Sequence, residues 1–393
     1  MALHNIAISN ADSEKADSCL SGFFKNVISA LLRATERDDV DGTDLVNSAF
    51  DAITVFIANS SQHSIELVKS LCENFIQRLR KTFSIPTHSA SDVDLRTQQQ
   101  GYLCAVLLVI VQKLDSLVKP YARSMIDLHV QIFKSSGGSA YVHEDALMAV
   151  GSVANALGEE FLPYVDEVIP FIVKGLGAVQ QHAVCTASVG ALSDIARAIG
   201  PDFSRLNCDQ IMKLLITAVK NPALHRSVKP HILAAFGDIA FALCDKFVRY
   251  LPAVVKILLW ASKTPKRDAD EDFCAYVDAL REGILDGFTG ILQGLKESQG
   301  HGEAFRPYLS DLIAFLELVW EDQDITLSAE LSLVAVIGEL ARTVGAPAAT
   351  ALRARSSILQ ILKNNQRSES EELAEMARWS TNQISEALRS RQI

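Results

Sequence analysis

Apolar residues recur along almost the whole chain at intervals of three and four, as in Leu206, Ile211, Leu214, Leu215 and Val219, or Leu312, Ile313, Phe315, Leu316 and Val319. That spacing puts them on one face of an α-helix. Alternating runs rich in Val, Ile and Thr, the mark of strands, are missing. Helix stops punctuate the pattern at Gly137-Gly138, Gly158, Gly200-Pro201, Asn221-Pro222, Thr264-Pro265, Gly300, Gly302 and Gly345. The pattern predicts about sixteen helices joined by short turns.

An internal repeat emerges when alternate helices are aligned on a small residue. Gly151-Ser-Val-Ala-Asn-Ala-Leu-Gly158, Ser193-Asp-Ile-Ala-Arg-Ala-Ile-Gly200, Gly237-Asp-Ile-Ala-Phe-Ala-Leu-Cys244 and Gly338-Glu-Leu-Ala-Arg-Thr-Val-Gly345 share one pattern, with starts 42, 44 and 101 residues apart. The longest interval contains a further unit around Gly290-Ile-Leu-Gln-Gly294. A two-helix unit of this period is of HEAT or armadillo type. The small leading residue lets neighbouring helices approach closely, and the aliphatic residue two positions on fills the gap. Phe161, Phe203 and Phe247, three residues past each unit's end, are placed to staple the next helix.

The predicted fold is therefore all-α: a HEAT-repeat, right-handed superhelical solenoid of about eight antiparallel helix pairs. It forms one continuous array over residues 1–393, with repeats near 19–58, 62–115, 118–157, 159–199, 206–243, 246–296, 303–344 and 349–389. First helices are expected near 19–35, 62–82, 118–134, 159–177, 206–220, 246–263, 303–320 and 349–364. Second helices are expected near 43–58, 94–115, 143–157, 181–199, 224–243, 271–296, 325–344 and 369–389.

Composition narrows the function. A hydrophobic content of 49% supports a large buried interior, and a net charge of −10 argues against nucleic acid and for a basic partner. Seven scattered cysteines without a C-x-x-C pair read as buried thiols, not as disulfides or a zinc site. No uninterrupted run of 18 apolar residues occurs, and the first residues lack the order of a secretory signal, so neither secretion nor a membrane span is expected.

Motifs for phosphate loops, zinc proteases, serine hydrolases, dinucleotides or calcium are missing, so no enzyme activity, cofactor or metal is expected. His143-Glu144-Asp145 is a site-like cluster, read as a first helical turn whose carboxylates favour the helix dipole.

The segment GGSAYVHEDALMAVGSVANALG (137–158) resembles the importin-β family of nuclear import receptors. So do HRSVKPHILAAFGDIA (225–240), LREGILDGFTGILQGLK (280–296) and LAEMARWSTNQI (373–384). The resemblance is to the C-terminal half of such receptors. It implies a carrier in the cytoplasm, nucleus and nuclear pore whose concave face holds the basic importin-β-binding segment of importin-α, or basic cargo directly. It further implies phenylalanine-glycine (FG) nucleoporins on the outer face and release by Ran-GTP, whose main site falls in the missing N-terminal half. A HEAT scaffold for some other multiprotein complex is the alternative.

The repeat pattern offers a binding row, because Asp194, Asp238 and Glu339 each follow the small residue and stacked helices stand about 8–10 Å apart. Local pairing competes with that role: Asp194 has Arg197 and Glu339 has Arg342 three residues on, whereas Asp238 has only apolar residues at those spacings. A second acidic concentration comprises Asp270, Glu271, Asp272, Asp278, Glu282 and Asp286. The resemblance suggests that Trp379 faces the bound helix, where an indole stacks on Arg or Lys; a capping-repeat core role is the alternative. Trp260 and Trp320 read as core or convex-face residues. Phe247, Tyr250, Val254 and Leu258 are the candidate lining of a nucleoporin slot.

Overall fold

In the computed structural model, residues 22–36, 43–135, 140–266, 270–296, 301–322 and 324–389 are described. The expected stops at Gly137-Gly138 and Gly300, residues 19–21 of the first helix, and Cys19 lie outside them. All described elements are helical. Contacts group the chain into two units, residues 1–175 and 176–393.

The first unit comprises α1 (Phe24–Ala34), α2 (Thr43–Ala58), α3 (Ile65–Thr82), α4 (Ala90–Leu114), α5 (Lys119–Ser135), α6 (Ala140–Leu157) and α7 (Val165–Leu176, whose last residue crosses the boundary). The second helices α2, α4 and α6 stack on one another, and α3 packs on α5. Ile53, Ile57, Phe75, Leu79, Leu103 and Leu107 are wholly buried between these layers.

The second unit comprises α8 (His182–Ile199), α9 (Cys208–Lys220), α10 (Val228–Leu243), α11 (Leu251–Ala261), α12 (Glu271–Lys296), α13 (Leu309–Trp320), α14 (Leu327–Val344), α15 (Ala346–Arg353), α16 (Ser356–Asn365) and α17 (Glu371–Arg389). Here α8, α10, α12, α14 and α17 stack in sequence order. Of these, α8, α10, α12 and α14 carry the repeat pattern, whose small residues permit the close approach.

Between α10 and α12 the approach is main chain to main chain along several turns. A Cβ at Gly283 would lie 2.4 Å from the Pro230 carbonyl oxygen, one at Gly290 2.5 Å from the Gly237 carbonyl carbon, and one at Gly294 2.3 Å from the Ala240 carbonyl oxygen. The glycine-rich block 280–296 is thus a seam of main chain against main chain.

Several second helices end on one device. Asp115, Gly200, Cys244 and Gly345 have φ of 49°, 50°, 50° and 74°. Each donates its N–H to the carbonyl four residues back, closing the last turn. Positive φ strains any residue with a Cβ, which explains glycine here and marks Asp115 and Cys244 as exceptions. A 3₁₀ turn follows at 115–118, 158–164, 200–205, 244–249 and 301–308. Phe161, Phe203, Phe247 and Phe305 plug these turns and have no exposed surface.

The 3₁₀ turns explain where the first helices depart from expectation. The starts expected near 159, 246 and 303 fall at 165, 251 and 309, because residues before them are wound in 3₁₀ form, with Pro163 and Pro307 inside two of the turns, and the start expected near 206 falls at 208, behind the extended Leu206 and the capping Asn207. The helix expected over 349–364 is divided into α15 and α16 by Arg355, whose backbone is extended. There Ser357 donates its hydroxyl to Glu317 of α13, and Arg355 lies 3.7 Å from the same carboxylate.

Two stretches, Ala90–Ser135 and His182–Arg205, are long and apolar enough to cross a membrane by length and composition alone. In their most apolar windows 50% and 61% of residues are buried, as in core helices of a stacked array.

Candidate protein-binding face

The expected carboxylate row maps onto the second helices of the second unit. Asp194 (α8) and Asp238 (α10) are joined by Arg197, which donates one guanidinium nitrogen to Asp194 and the other, at 2.8 Å, to Asp238. The sequence gives Asp238 no partner on its own helix. The structure supplies one from the preceding repeat, 41 positions away.

Beyond Asp238 the row continues through Asp286 and Glu282 of α12. Burial pushes the Asp286 carboxyl up from the usual range; Ser332, donating its hydroxyl at 3.2 Å, opposes the shift, and Glu282 and Asp238 add to it. Glu282 accepts from the Thr326 hydroxyl at 2.6 Å. Three carboxylates thus bear on one place where the hydrogen bonds to Glu282 and Asp286 come from neutral hydroxyls, an arrangement that a cation would relieve.

Asp278 takes a different course. It pairs with Lys266 at 2.8 Å, and Lys266 reaches Asp322 at 3.1 Å, which also accepts from Arg281. This half-buried network closes on itself. Glu339 is 4% exposed, accepts from Gln293 at 3.0 Å and pairs with Arg342 at 2.7 Å. Trp379 (α17) packs on α14, where a Cβ at Gly338 would lie 2.2 Å from its ring, and the Arg342 guanidinium stands 5.7 Å from the ring centre. The indole is half-buried, so part of it meets solvent.

The slot expected from Phe247, Tyr250, Val254 and Leu258 is not an exposed feature. Phe247, Val254 and Leu258 have no accessible surface, because α11 turns this face onto its neighbours. Tyr250, half-buried, donates to Asp209 and carries Arg249 over its ring at 4.6 Å. The apolar residues that do face outward on first helices are Trp260, Leu318 and Leu359, exposed by 58%, 41% and 45%.

The sequence reading passed over two cavities. One, of about 470 Å³, lies between α10 and α12 and is lined by Arg226, Pro230, His231, Tyr276, Glu282 and Asp286. Its walls come in large part from the two blocks 225–240 and 280–296, with Asp272, Tyr276 and Ala279 added from the first turns of α12; the glycines of the second block were the signal available in the sequence. The other, of about 720 Å³, lies in the first unit between α4 and α6 and is lined in part by Asp94, Leu95, Gln98, Gly101, Tyr102 and Asp145. Burial, and then Glu144 beside it, pushes the Asp145 carboxyl up to about 6.

His143 is half-buried with its ring edge-on to Phe133 at 5.8 Å; α6 begins at Ala140, so Glu144 and Asp145 stand past its first turn, which carries no acidic residue, and the expected pairing of these carboxylates with the helix dipole is not found there. Among the described residues no three His, Cys, Asp or Glu side chains are grouped to hold a metal, and the described cysteines are free thiols.

Stacked helix pairs whose second helices pack on one another in sequence order define a helical-repeat protein of the solenoid class. The family model described as importin subunit beta-1-like, TPR repeats, matches residues 1–366, and the chain belongs to that family. It is 30% identical over 378 residues to importin subunit beta-1 of Arabidopsis thaliana, covering 94% of this chain and 43% of that protein. It is 27% identical over 372 residues to the Schizosaccharomyces pombe protein of the same name, covering 93% and 43%. A crystal structure of importin beta from an ammonium sulfate condition superposes with a TM-score of 0.90 at 29% identity, covering 98% of this chain and 45% of that one. A complex of Kap95 with Nup1 gives 0.86 at 25% identity, with coverages of 98% and 45%. The chain therefore spans less than half the length of the relatives it matches.

Proposed function

We propose that this chain is the basic-segment-binding part of a nuclear import receptor. It takes the basic importin-β-binding segment of importin-α, or a basic cargo, along the second helices of its second unit. The observation that carries this reading is the convergence of Asp238, Glu282 and Asp286, with burial and mutual repulsion raising the Asp286 carboxyl. Arg197 already pairs with Asp238 and Arg226 lines the adjoining cavity, whereas Glu282 and Asp286 accept from hydroxyls; a lysine or arginine arriving beside those two adds the opposite charge. Trp379 extends the same face with an aromatic surface for a further cation.

Outward-facing Trp260, Leu318 and Leu359 support a second contact, with FG nucleoporins, in place of the buried residues expected from the sequence. Passage between cytoplasm and nucleus goes with that role. The test is titration of a fluorescent lysine- and arginine-rich peptide at low and high salt, with Glu282→Gln/Asp286→Asn and Trp379→Ala variants. Salt-sensitive binding that the double variant weakens roughly tenfold is the expected result, since charge-assisted contacts contribute about 1.5–3 kcal/mol. Absence of binding at low salt leaves the alternative, a HEAT scaffold for another complex.

A further inference from the structure

We propose that Thr264 is a phosphorylation site for a proline-directed protein kinase, and that the phosphate loosens the junction of α11, α12 and α13. The site lies apart from the binding face argued above and does not depend on it.

The chain has 11 prolines, and Pro265 alone among them follows a serine or threonine. Lys266 and Arg267 come next in the sequence, giving Thr-Pro-Lys-Arg, the order of residues that kinases of this class accept. Proline disfavours helical backbone at the residue before it, so Thr264 is driven towards the extended form in which a kinase groove takes its substrate. The structure agrees: α11 stops at Ala261, and Thr264, Pro265 and Lys266 lie in neither helix nor turn. Pro265 is exposed and Thr264 half-buried. In the reaction the γ-phosphoryl group of ATP passes to Thr264 Oγ1. The P–O bond to the departing ADP breaks as the bond to Oγ1 forms, and the hydroxyl proton goes to the kinase's catalytic carboxylate.

What the hydroxyl does before modification decides what the phosphate does after it. Thr264 donates its N–H at 3.1 Å and its hydroxyl at 2.8 Å to the Ala261 carbonyl oxygen, closing the end of α11. Once esterified, Oγ1 has no proton to give, and the new charge stands at the negative end of the helix dipole.

The second effect falls on Lys266, whose backbone is at most about 7 Å from that of Thr264. Its ammonium pairs with Asp278 of α12 at 2.8 Å and with Asp322, just past α13, at 3.1 Å, and Arg281 of α12 also donates to Asp322. All four side chains are largely buried. Two cations there balance two carboxylates. A phosphate adds about two negative charges at the edge of this network and competes for Lys266, leaving Asp278 and Asp322 short of a cation. Carboxylates deprived of a partner at that depth destabilise the fold that holds them.

The experiment incubates the full chain with ATP and a proline-directed serine/threonine kinase and maps the product by mass spectrometry. Phosphate is expected on Thr264, absent from Thr264→Val and incorporated roughly tenfold more slowly in Pro265→Ala. The melting temperature of the modified chain is expected to lie roughly 2–4 °C below that of the untreated chain and to be restored by a phosphatase, a comparison that needs no variant. Thr264 left unmodified in the folded chain overturns the proposal, whether or not the heat-unfolded chain accepts phosphate there. Full occupancy of Thr264 with an unchanged or raised melting temperature overturns it as well.

Discussion

Arg342 holds its guanidinium 5.7 Å from the ring centre of Trp379 while pairing with Glu339 at 2.7 Å. One residue of the chain thus occupies both the aromatic face and a carboxylate that a basic guest is proposed to use. Arg342→Met vacates them at similar size. It is expected to tighten binding of a lysine- and arginine-rich peptide by roughly two- to fivefold, the equivalent of about 0.5–1 kcal/mol. Arg353→Met, at an exposed position on α15, controls for the general effect of removing positive charge. Equal gains in the two variants, measured by fluorescence anisotropy, would mean that Arg342 does not compete with the guest.

Glycine-to-alanine substitution is expected to change sign with position. At Gly283 a methyl group meets the Pro230 carbonyl oxygen at 2.4 Å, and overpacking is expected to cost roughly 1–3 kcal/mol. At Gly190, exposed within α8, nothing lies within 4 Å, and alanine is expected to stabilise by about 0.5–1 kcal/mol through helix propensity. Urea midpoints followed by circular dichroism compare the two.

The helix-ending device gives a third test. Cys244 holds φ of 50°, where a Cβ is strained, while Gly200 does the same work one repeat earlier at the same angle. Cys244→Gly is expected to raise stability by about 1 kcal/mol, and Gly200→Ala to lower it by about 1–3 kcal/mol. Thermal denaturation in reducing buffer reads both. A melting temperature lowered by Cys244→Gly would show that the thiol's packing outweighs the strain.

Two buried groups give opposite pH dependences. His129 has no exposed surface, its Nδ1 lies 2.7 Å from the Met125 carbonyl oxygen, and its Nε2 has no partner; burial lowers its pKa to about 4. Between pH 6.5 and 4 the unfolded chain binds the proton that the folded chain refuses, so stability falls as pH drops through that window, by roughly 3 kcal/mol in all. Asp145 does the reverse. Between 3.8 and about 6 the folded chain holds the proton, so its contribution falls as pH rises. His129→Leu should flatten the first dependence and Asp145→Asn the second, in urea unfolding across pH 4–7.5.

Elements bounded by local signals were readable from sequence: α2 and α12 span 43–58 and 271–296 as expected, because Gly, Pro and polar caps act within a turn of where they stand. The starts of the first helices expected near 159, 246 and 303 were not, since 3₁₀ and α windings share the same apolar spacing over one turn. Division of α15 from α16 was invisible because it depends on Glu317 of another helix. The carboxylate positions were legible, but the Arg197 bridge between repeats was not, because neighbours along the stack are distant along the chain. Phe247, Val254 and Leu258 failed as a slot because periodicity identifies an apolar face without saying whether a neighbour covers it.

Helices that meet through side chains yield by exchanging rotamers, whereas at the α10–α12 seam carbonyl oxygens stand where Cβ atoms would be and no side chain is available to turn. A twist imposed on α10 is therefore expected to be passed to α12 along the glycine seam, so that Asp238, Glu282 and Asp286 hold their spacing. The contact between α14 and α17 is built differently, through the Trp379 indole on Gly338 and the Ser380 hydroxyl donated to Val334 at 2.7 Å. That joint has parts that give. Compliance in the second unit is thereby expected at its last helix, which on the proposed function would adapt to a guest while the carboxylates act as a fixed gauge.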